Sequence, residues 1–176
     1  MYNLIFIGGI HGVGKTSLCK LLSKEYNIPS YSASKLISDA KNIEFADNKR
    51  VKDIDNNQEI LIRALNQIDI NSKFILLEGH FCLINEFGQI TRIPKQTFYN
   101  LYPKAFILLK ESVEEISTRL RNRDAQLFNK SFLESFQEEE IAYAKEVSQS
   151  LQIPCIIHSK ESSMESLMSF FDNIVT

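Results

Sequence analysis

The stretch that most limits how this chain can fold is Gly8–Lys20, GGIHGVGKTSLCK, which follows the apolar run Leu4–Ile7 without a break. Within it the spacing Gly9-x-x-x-x-Gly14-Lys15-Thr16 is the phosphate-binding P-loop pattern. Glycines let a backbone curl until several N–H groups converge on phosphate oxygens, and a helix that starts there adds the positive end of its dipole. In this pattern a lysine reaches the β- and γ-phosphates and a hydroxyl ligates Mg²⁺, roles that fall to Lys15 and Thr16. A glycine-rich turn can match by chance, but the context is confirming. A buried-type strand precedes the loop, and Leu18, Leu21 and Leu22 open an amphipathic helix after it. The whole stretch Gly9, Ile10, His11, Gly12, Val13, Gly14, Lys15, Thr16 and Ser17 is therefore the candidate site for the phosphates of ATP.

The chain has 176 residues, enough for a sizeable core, and a single domain over 1–176 is expected. A net charge of −2 gives no general pull toward nucleic acid or an anionic membrane. No apolar run approaches the length of a membrane span. A strand that begins almost at residue 1 leaves no room for a signal peptide, so the expected setting is the cytoplasm. Cys19, Cys82 and Cys155 are isolated and odd in number; they read as small hydrophobes in a reducing compartment, not as a disulfide or metal framework.

Four short apolar runs read as buried parallel strands: Leu4–Ile7, Phe74–Leu77, Ala105–Leu109 and Cys155–Ile157, with a weaker fifth near Ile28–Ser32. Helical patterns alternate with them, over about Gly14–Tyr26, Ala33–Lys41, Gln58–Ile68, Ser112–Arg121, Phe132–Leu151 and Met164–Ile174. The Glu138–Glu140 run reads as the solvated face of the long helix. Two stretches lack a period: the polar Glu44–Asn57, and Phe81–Pro94, where alternating pieces around Glu86-Phe87-Gly88 predict a hairpin. Strand–helix alternation implies a parallel sheet covered on both faces, with ligands beyond the carboxyl ends of its strands. Gly9–Thr16 falls there.

A P-loop needs a second acidic contact for magnesium, commonly at the end of a neighbouring strand. Glu78, in FILLEGH, stands at that place and would hold the metal through water. His80 follows two residues later and would touch substrate, hold Glu78, or be a satisfied loop histidine. Phosphoryl transfer also asks for positive charge over the moving group. The stretch TRLRNRD supplies Arg119 and Arg123 four apart on one helix face, with Arg121 pointing elsewhere. An exposed basic helix end is the plain alternative; an arginine lid over the phosphates is favoured because the stretch follows a strand end of the same sheet.

These residues resemble the nucleoside monophosphate kinases, most of all the archaeal-type adenylate kinases. The resemblance runs from GGIHGVGKTSL through IPSYSASKLI, LLEGH, the hairpin and RIP, LYPKAFILLKESVEEISTRL, and RNRDAQLFNKSF into EIAYAKEV. It implies a P-loop NTPase fold, three-layer α/β/α, with a five-stranded parallel sheet in the order 2-3-1-4-5. It also implies an acceptor-side segment at about 32–70 and a short lid at about 119–131 carrying the Arg123-Asp124 pair. The chain departs from the family at Glu78, where Asp is usual, and at Ser34 and Lys35, where Gly-Asp is frequent. Ser38 stands where bacterial members carry a phosphate-gripping arginine, and Lys130 is the nearest second basic residue of the lid. Ser32, Arg50, His80 and Arg92 are the acceptor-side candidates.

The expected function is ATP- and Mg²⁺-dependent phosphoryl transfer to a small acceptor, a nucleoside monophosphate by resemblance. Lys15, Arg119, Arg123 and Glu78 are its catalytic candidates, and Thr16 and Glu78 its metal contacts. The alternatives are a kinase of a hydroxyl-bearing nucleoside or metabolite, and a slow P-loop ATPase that regulates a protein partner. No Asn-Lys-x-Asp or Thr-Lys-x-Asp segment for guanine is present, and no Leu-Ser-Gly-Gly-Gln stretch of a transporter ATPase. The chain is too short for a ring-forming ATPase with its helical lid domain.

Overall fold

Strand β1 (Asn3–Gly8) is buried along almost its whole length because it has a parallel neighbour on each side. These are β4 (Phe74–Glu78) and β7 (Pro103–Leu109). The edges are β2 (Ser30–Ser32), parallel to β4, and β8 (Cys155–His158), parallel to β7. Counted in chain order, the five core strands stand as 2-3-1-4-5, the order expected. This computed structural model describes residues 3–41, 50–51, 54–69, 71–124 and 129–176. The architecture is three-layer α/β/α.

The helices are α1 (Lys15–Tyr26), α2 (Ala33–Lys41), α3 (Ile54–Gln67), α4 (Lys95–Leu101), α5 (Val113–Asp124), α6 (Lys130–Leu151) and α7 (Met164–Val175). Helix α1 stops at Asn27, which takes a left-handed φ of 51° and turns its N–H back to Ser23 O, a conformation asparagine tolerates well. Asn129 caps α6 by accepting from Ser131 N at 2.9 Å. Helix α3 begins four residues before the periodic stretch Gln58–Ile68, and α4 was not expected at all. At seven residues α4 is too short to display a helical period; it forms because Phe98 and Leu101 are buried beneath it.

The hairpin is present as β5 (Cys82–Asn85) and β6 (Ile90–Arg92), antiparallel. Its turn closes on Asn85, whose Oδ1 accepts from Phe87 N and Gln89 N, and on Gly88 at φ +79°. Strand β3 (Arg50–Val51), from the aperiodic stretch, pairs with β5 to make a small second sheet. Tyr143 of α6 anchors the hairpin by donating to Ile93 O at 2.6 Å. Arg92 ties it from outside, to Glu139 at 2.6 Å and Glu146 at 2.9 Å, with its guanidinium 4.6 Å from the Tyr143 ring.

Under the junction of sheet and hairpin sits an aromatic cluster. Phe81 stacks on Phe98 at 4.7 Å, and Phe6 meets Phe81 edge-on at 5.1 Å and Phe98 at 5.6 Å. Phe106 meets Phe81 at 4.8 Å. Such pairs add about 0.5–1.5 kcal/mol each beyond the area they bury. Cys19 and Cys82 are buried, Cys155 half-buried, and all are free thiols. Burial pushes Cys19 up to about 12 and Cys155 to about 11, and raises Cys82 as well, so all three are neutral packing groups.

Candidate active site

The loop between β1 and α1 holds its curl through glycines. Gly9 and Gly14 take φ +142° and +110°, conformations that side chains rarely reach. A Cβ at Gly9 would lie 2.8 Å from Val13 Cγ1 and 3.0 Å from Leu109 O, so the site has no space for one. Lys15 Nζ folds across the loop and donates to Gly9 O at 2.6 Å and Ile10 O at 3.1 Å. Arg119 reaches in from α5. Its Nη1 donates to Gly12 O and Val13 O at 3.2 Å each, and its Nη2 to Glu111 Oε2 at 3.1 Å. Two cations from distant parts of the chain therefore sit on one loop.

Sheet register brings in the acid. Ile7 stands level with Glu78, the last residue of β4. Thr16 Oγ1 donates to Glu78 Oε2 at 2.8 Å. Two hard oxygen donors side by side, one of them anionic, suit Mg²⁺, which takes one or two protein oxygens and otherwise keeps water and phosphate. His80 lies past the same strand end, its ring 4.2 Å from that of His11.

These groups open on one cavity of about 730 Å³. One side is formed by His11, Gly12, Gly14, Lys15, Thr16, Ser17, Glu78 and Arg119. The other comes from α2 and α3, the hairpin and α4, with Ser32, Ser34, Lys35 and Ser38 near the start of α2. Ser32 and His80 thus line the cavity, and Ser32 Oγ lies 3.0 Å from Ser34 Oγ. Arg92 does not: its guanidinium is spent on Glu139 and Glu146 on the far side of the hairpin, which corrects its reading as an acceptor contact. Lys130 pairs with Glu114 at 3.1 Å. The side chains of Arg50 and Arg123, and residues 125–128 of the expected lid, lie outside the described residues.

The largest correction concerns Glu140. It is not on a solvated face: its exposure is 0 %, under the P-loop. Its carboxylate accepts from Gly9 N at 3.0 Å, from Phe81 N at 2.9 and 3.0 Å, and from Cys82 N at 2.6 Å. It joins the first residue of the phosphate loop to the segment after β4. Burial pushes this carboxyl up to about 7, against the opposing pull of the three N–H groups and Lys15. A signal was available. Phe136, Glu140 and Ala144 are spaced by four, so Glu140 stands in the apolar stripe of α6, and the Glu138–Glu140 run hid that. Gln137, one turn earlier, is also turned inward; it accepts from Glu111 N at 3.0 Å and donates to Glu111 O at 2.9 Å.

A sheet in this order, a P-loop after its central strand and an acid at the end of the adjacent strand define a P-loop kinase-like fold. A family model described as an AAA domain matches residues 8–136, well over half of the chain, and the chain belongs to that family. The matched segment runs from the P-loop to the first turns of α6. No curated protein is matched by the sequence. Among solved structures the chain is similar to shikimate kinase from Aquifex aeolicus, at 17% identity and a TM-score of 0.57 over 97% of each chain. A putative kinase from Chloroflexus aurantiacus aligns at 13% identity and a TM-score of 0.57, over 99% of each chain. A gluconokinase from Sinorhizobium meliloti aligns at 11% identity and a TM-score of 0.50, over 96% of this chain and 87% of that one. At these identities the likeness is one of fold. No helix among the described residues is long and apolar enough to cross a membrane.

Proposed function

We propose that this protein is an ATP- and Mg²⁺-dependent kinase that phosphorylates a nucleoside monophosphate, in an adenylate kinase-like reaction. The observation that carries this is the single cavity, with the P-loop, Lys15, Arg119 and the Thr16–Glu78 pair on one side and an apolar, serine-rimmed slot on the other. Structural similarity to a shikimate kinase and a gluconokinase supports transfer to a small molecule.

In this reading the loop amides hold the donor phosphates, and Lys15 leaves its carbonyl partners for phosphate oxygens. Thr16 and Glu78 would hold the magnesium ion, which supplies charge neutralisation on the phosphates when bound. An oxygen of the acceptor phosphate bonds to the γ-phosphorus while the bond from that phosphorus to the β–γ bridging oxygen breaks, and ADP leaves. The acceptor oxygen is already anionic, so no side chain need take a proton. Arg119 lies on the loop already, and Arg123 is proposed to join it over the transferring group. The partner is a small molecule, with no role for nucleic acid or membrane, and the setting proposed is the cytoplasm. Ser32 and His80 are proposed on the acceptor side.

The test is product identification by mass spectrometry, alongside ADP release, over a panel of nucleoside monophosphates, nucleosides and sugars. A nucleoside diphosphate product is expected. Phosphorylation of an alcohol alone would move the reading to a hydroxyl kinase, with Glu78 or His80 as the base. Hydrolysis that rises only with a protein partner would make it a regulatory ATPase. A second result is expected for Glu78→Gln. The Mg²⁺ concentration for half-maximal rate should rise several-fold, while metal-free nucleotide affinity moves little. An unchanged magnesium titration would remove Glu78 from the metal site.

A further inference from the structure

The acceptor side of the cavity carries two polar side chains that no described residue hydrogen-bonds. Gln58, in the first turns of α3, is 7 % exposed, and Thr97, on α4, is 5 % exposed. Both line the cavity. Neither side chain makes a hydrogen bond with a described residue, although the neighbouring Asn57 accepts from Lys41 Nζ through its Oδ1. Neither the Gln58 amide nor the Thr97 hydroxyl is a sealed, unsatisfied group, so a ligand in the cavity can reach both. Around them the wall is apolar: Ile37, Leu61, Leu83, Ile93, Phe98 and Leu101.

The serines, Lys35 and His80 stand elsewhere on the lining, while Gln58 and Thr97 lie among the apolar residues. A flat heterocycle has two apolar faces and a polar rim, which is the complement of apolar walls with a few placed polar groups. We propose that Gln58 and Thr97 form the subsite that reads the hydrogen-bonding edge of the acceptor's nucleobase. The inference rests on the nucleotide-kinase reading and deepens it. A carboxamide presents one acceptor and one donor side by side, and the threonine hydroxyl can act as either. Gln58 therefore pairs with an edge that offers a donor beside an acceptor, as the amino-and-ring-nitrogen edges of adenine and cytosine do.

The experiment uses the full chain, with AMP, CMP, GMP and UMP as probes. Transfer from ATP is followed by mass spectrometry, and binding to the ADP-loaded protein by calorimetry. Gln58→Leu should lower kcat/KM for the preferred nucleotide tenfold or more and flatten the ranking of bases. Gln58→Glu, which only accepts, should move the preference toward GMP, whose ring N–H and amino group both donate. A merely structural glutamine would not redirect the ranking. Thr97→Val guards against a Gln58 variant that fails to fold, and should also narrow the ranking. Monophosphates phosphorylated with an unchanged ranking in all folded variants would overturn the subsite. Base-ranked binding that depends on Gln58 but gives no phosphorylated product would keep the subsite and sink the kinase reading. If none of the four binds or reacts, both fall.

Discussion

Lys15→Ala should leave the sheet intact and lower turnover by on the order of 10² or more, the usual cost of losing one preorganised charge at a reacting group. Its ammonium is held 2.6 and 3.1 Å from two loop carbonyls, so it is already parked beside the amides proposed to hold the phosphates. Short contacts of this kind keep the side chain from wandering, and little ordering remains to be done when a nucleotide arrives. Alanine removes charge and tether together but leaves the glycine conformations unchanged. The measurement is turnover with circular dichroism as the folding control. Near wild-type turnover in a folded variant would end the assignment of the donor site.

Glu140→Ala should cost about 3–5 kcal/mol of stability, because three buried N–H groups, of Gly9, Phe81 and Cys82, lose their acceptor at once. Chemical denaturation reads this directly, and a loss below about 1 kcal/mol would show that water or a backbone shift replaces the carboxylate. The pH dependence has a definite sign. The folded carboxyl titrates at about 7 and the free side chain near 4.5, so the folded state binds a proton that the unfolded chain has lost. The contribution is fully present below about 4.5 and is lost as pH rises through about 7. Wild type should therefore lose stability relative to Glu140→Gln across that window, and a constant difference between them would refute the titration.

Much of the fold is legible in the chain because its strands are nearly continuous apolar runs, as burial on both faces requires. Leu4–Ile7, Phe74–Leu77 and Ala105–Leu109 fall inside β1, β4 and β7. The donor site is legible because loop, lysine and hydroxyl are adjacent in sequence. Glu78 is legible because a strand end is a predictable place. What escapes the sequence depends on long-range partners. Arg92 could be recognised as an outer tie only once Glu139 and Glu146 stand beside it. Glu140 has its three donors 58 to 131 residues away. Helix α4 owes its existence to the aromatic cluster it covers, not to a pattern of its own.

That cluster also decides how the pocket could be reshaped. Phe6 and Phe98 belong at once to the cavity wall and to the packed aromatic group, where they meet at 5.6 Å. Gly79 sits against the same ring, with a Cβ there only 2.7 Å from Phe6 Cζ. Carving a larger pocket at either phenylalanine would hollow the core, at about 3–5 kcal/mol for Phe→Ala. Leu61 of α3 also lines the cavity, outside that aromatic group. An engineer seeking to admit a bulkier acceptor should trim the α3 wall and leave the aromatic floor alone.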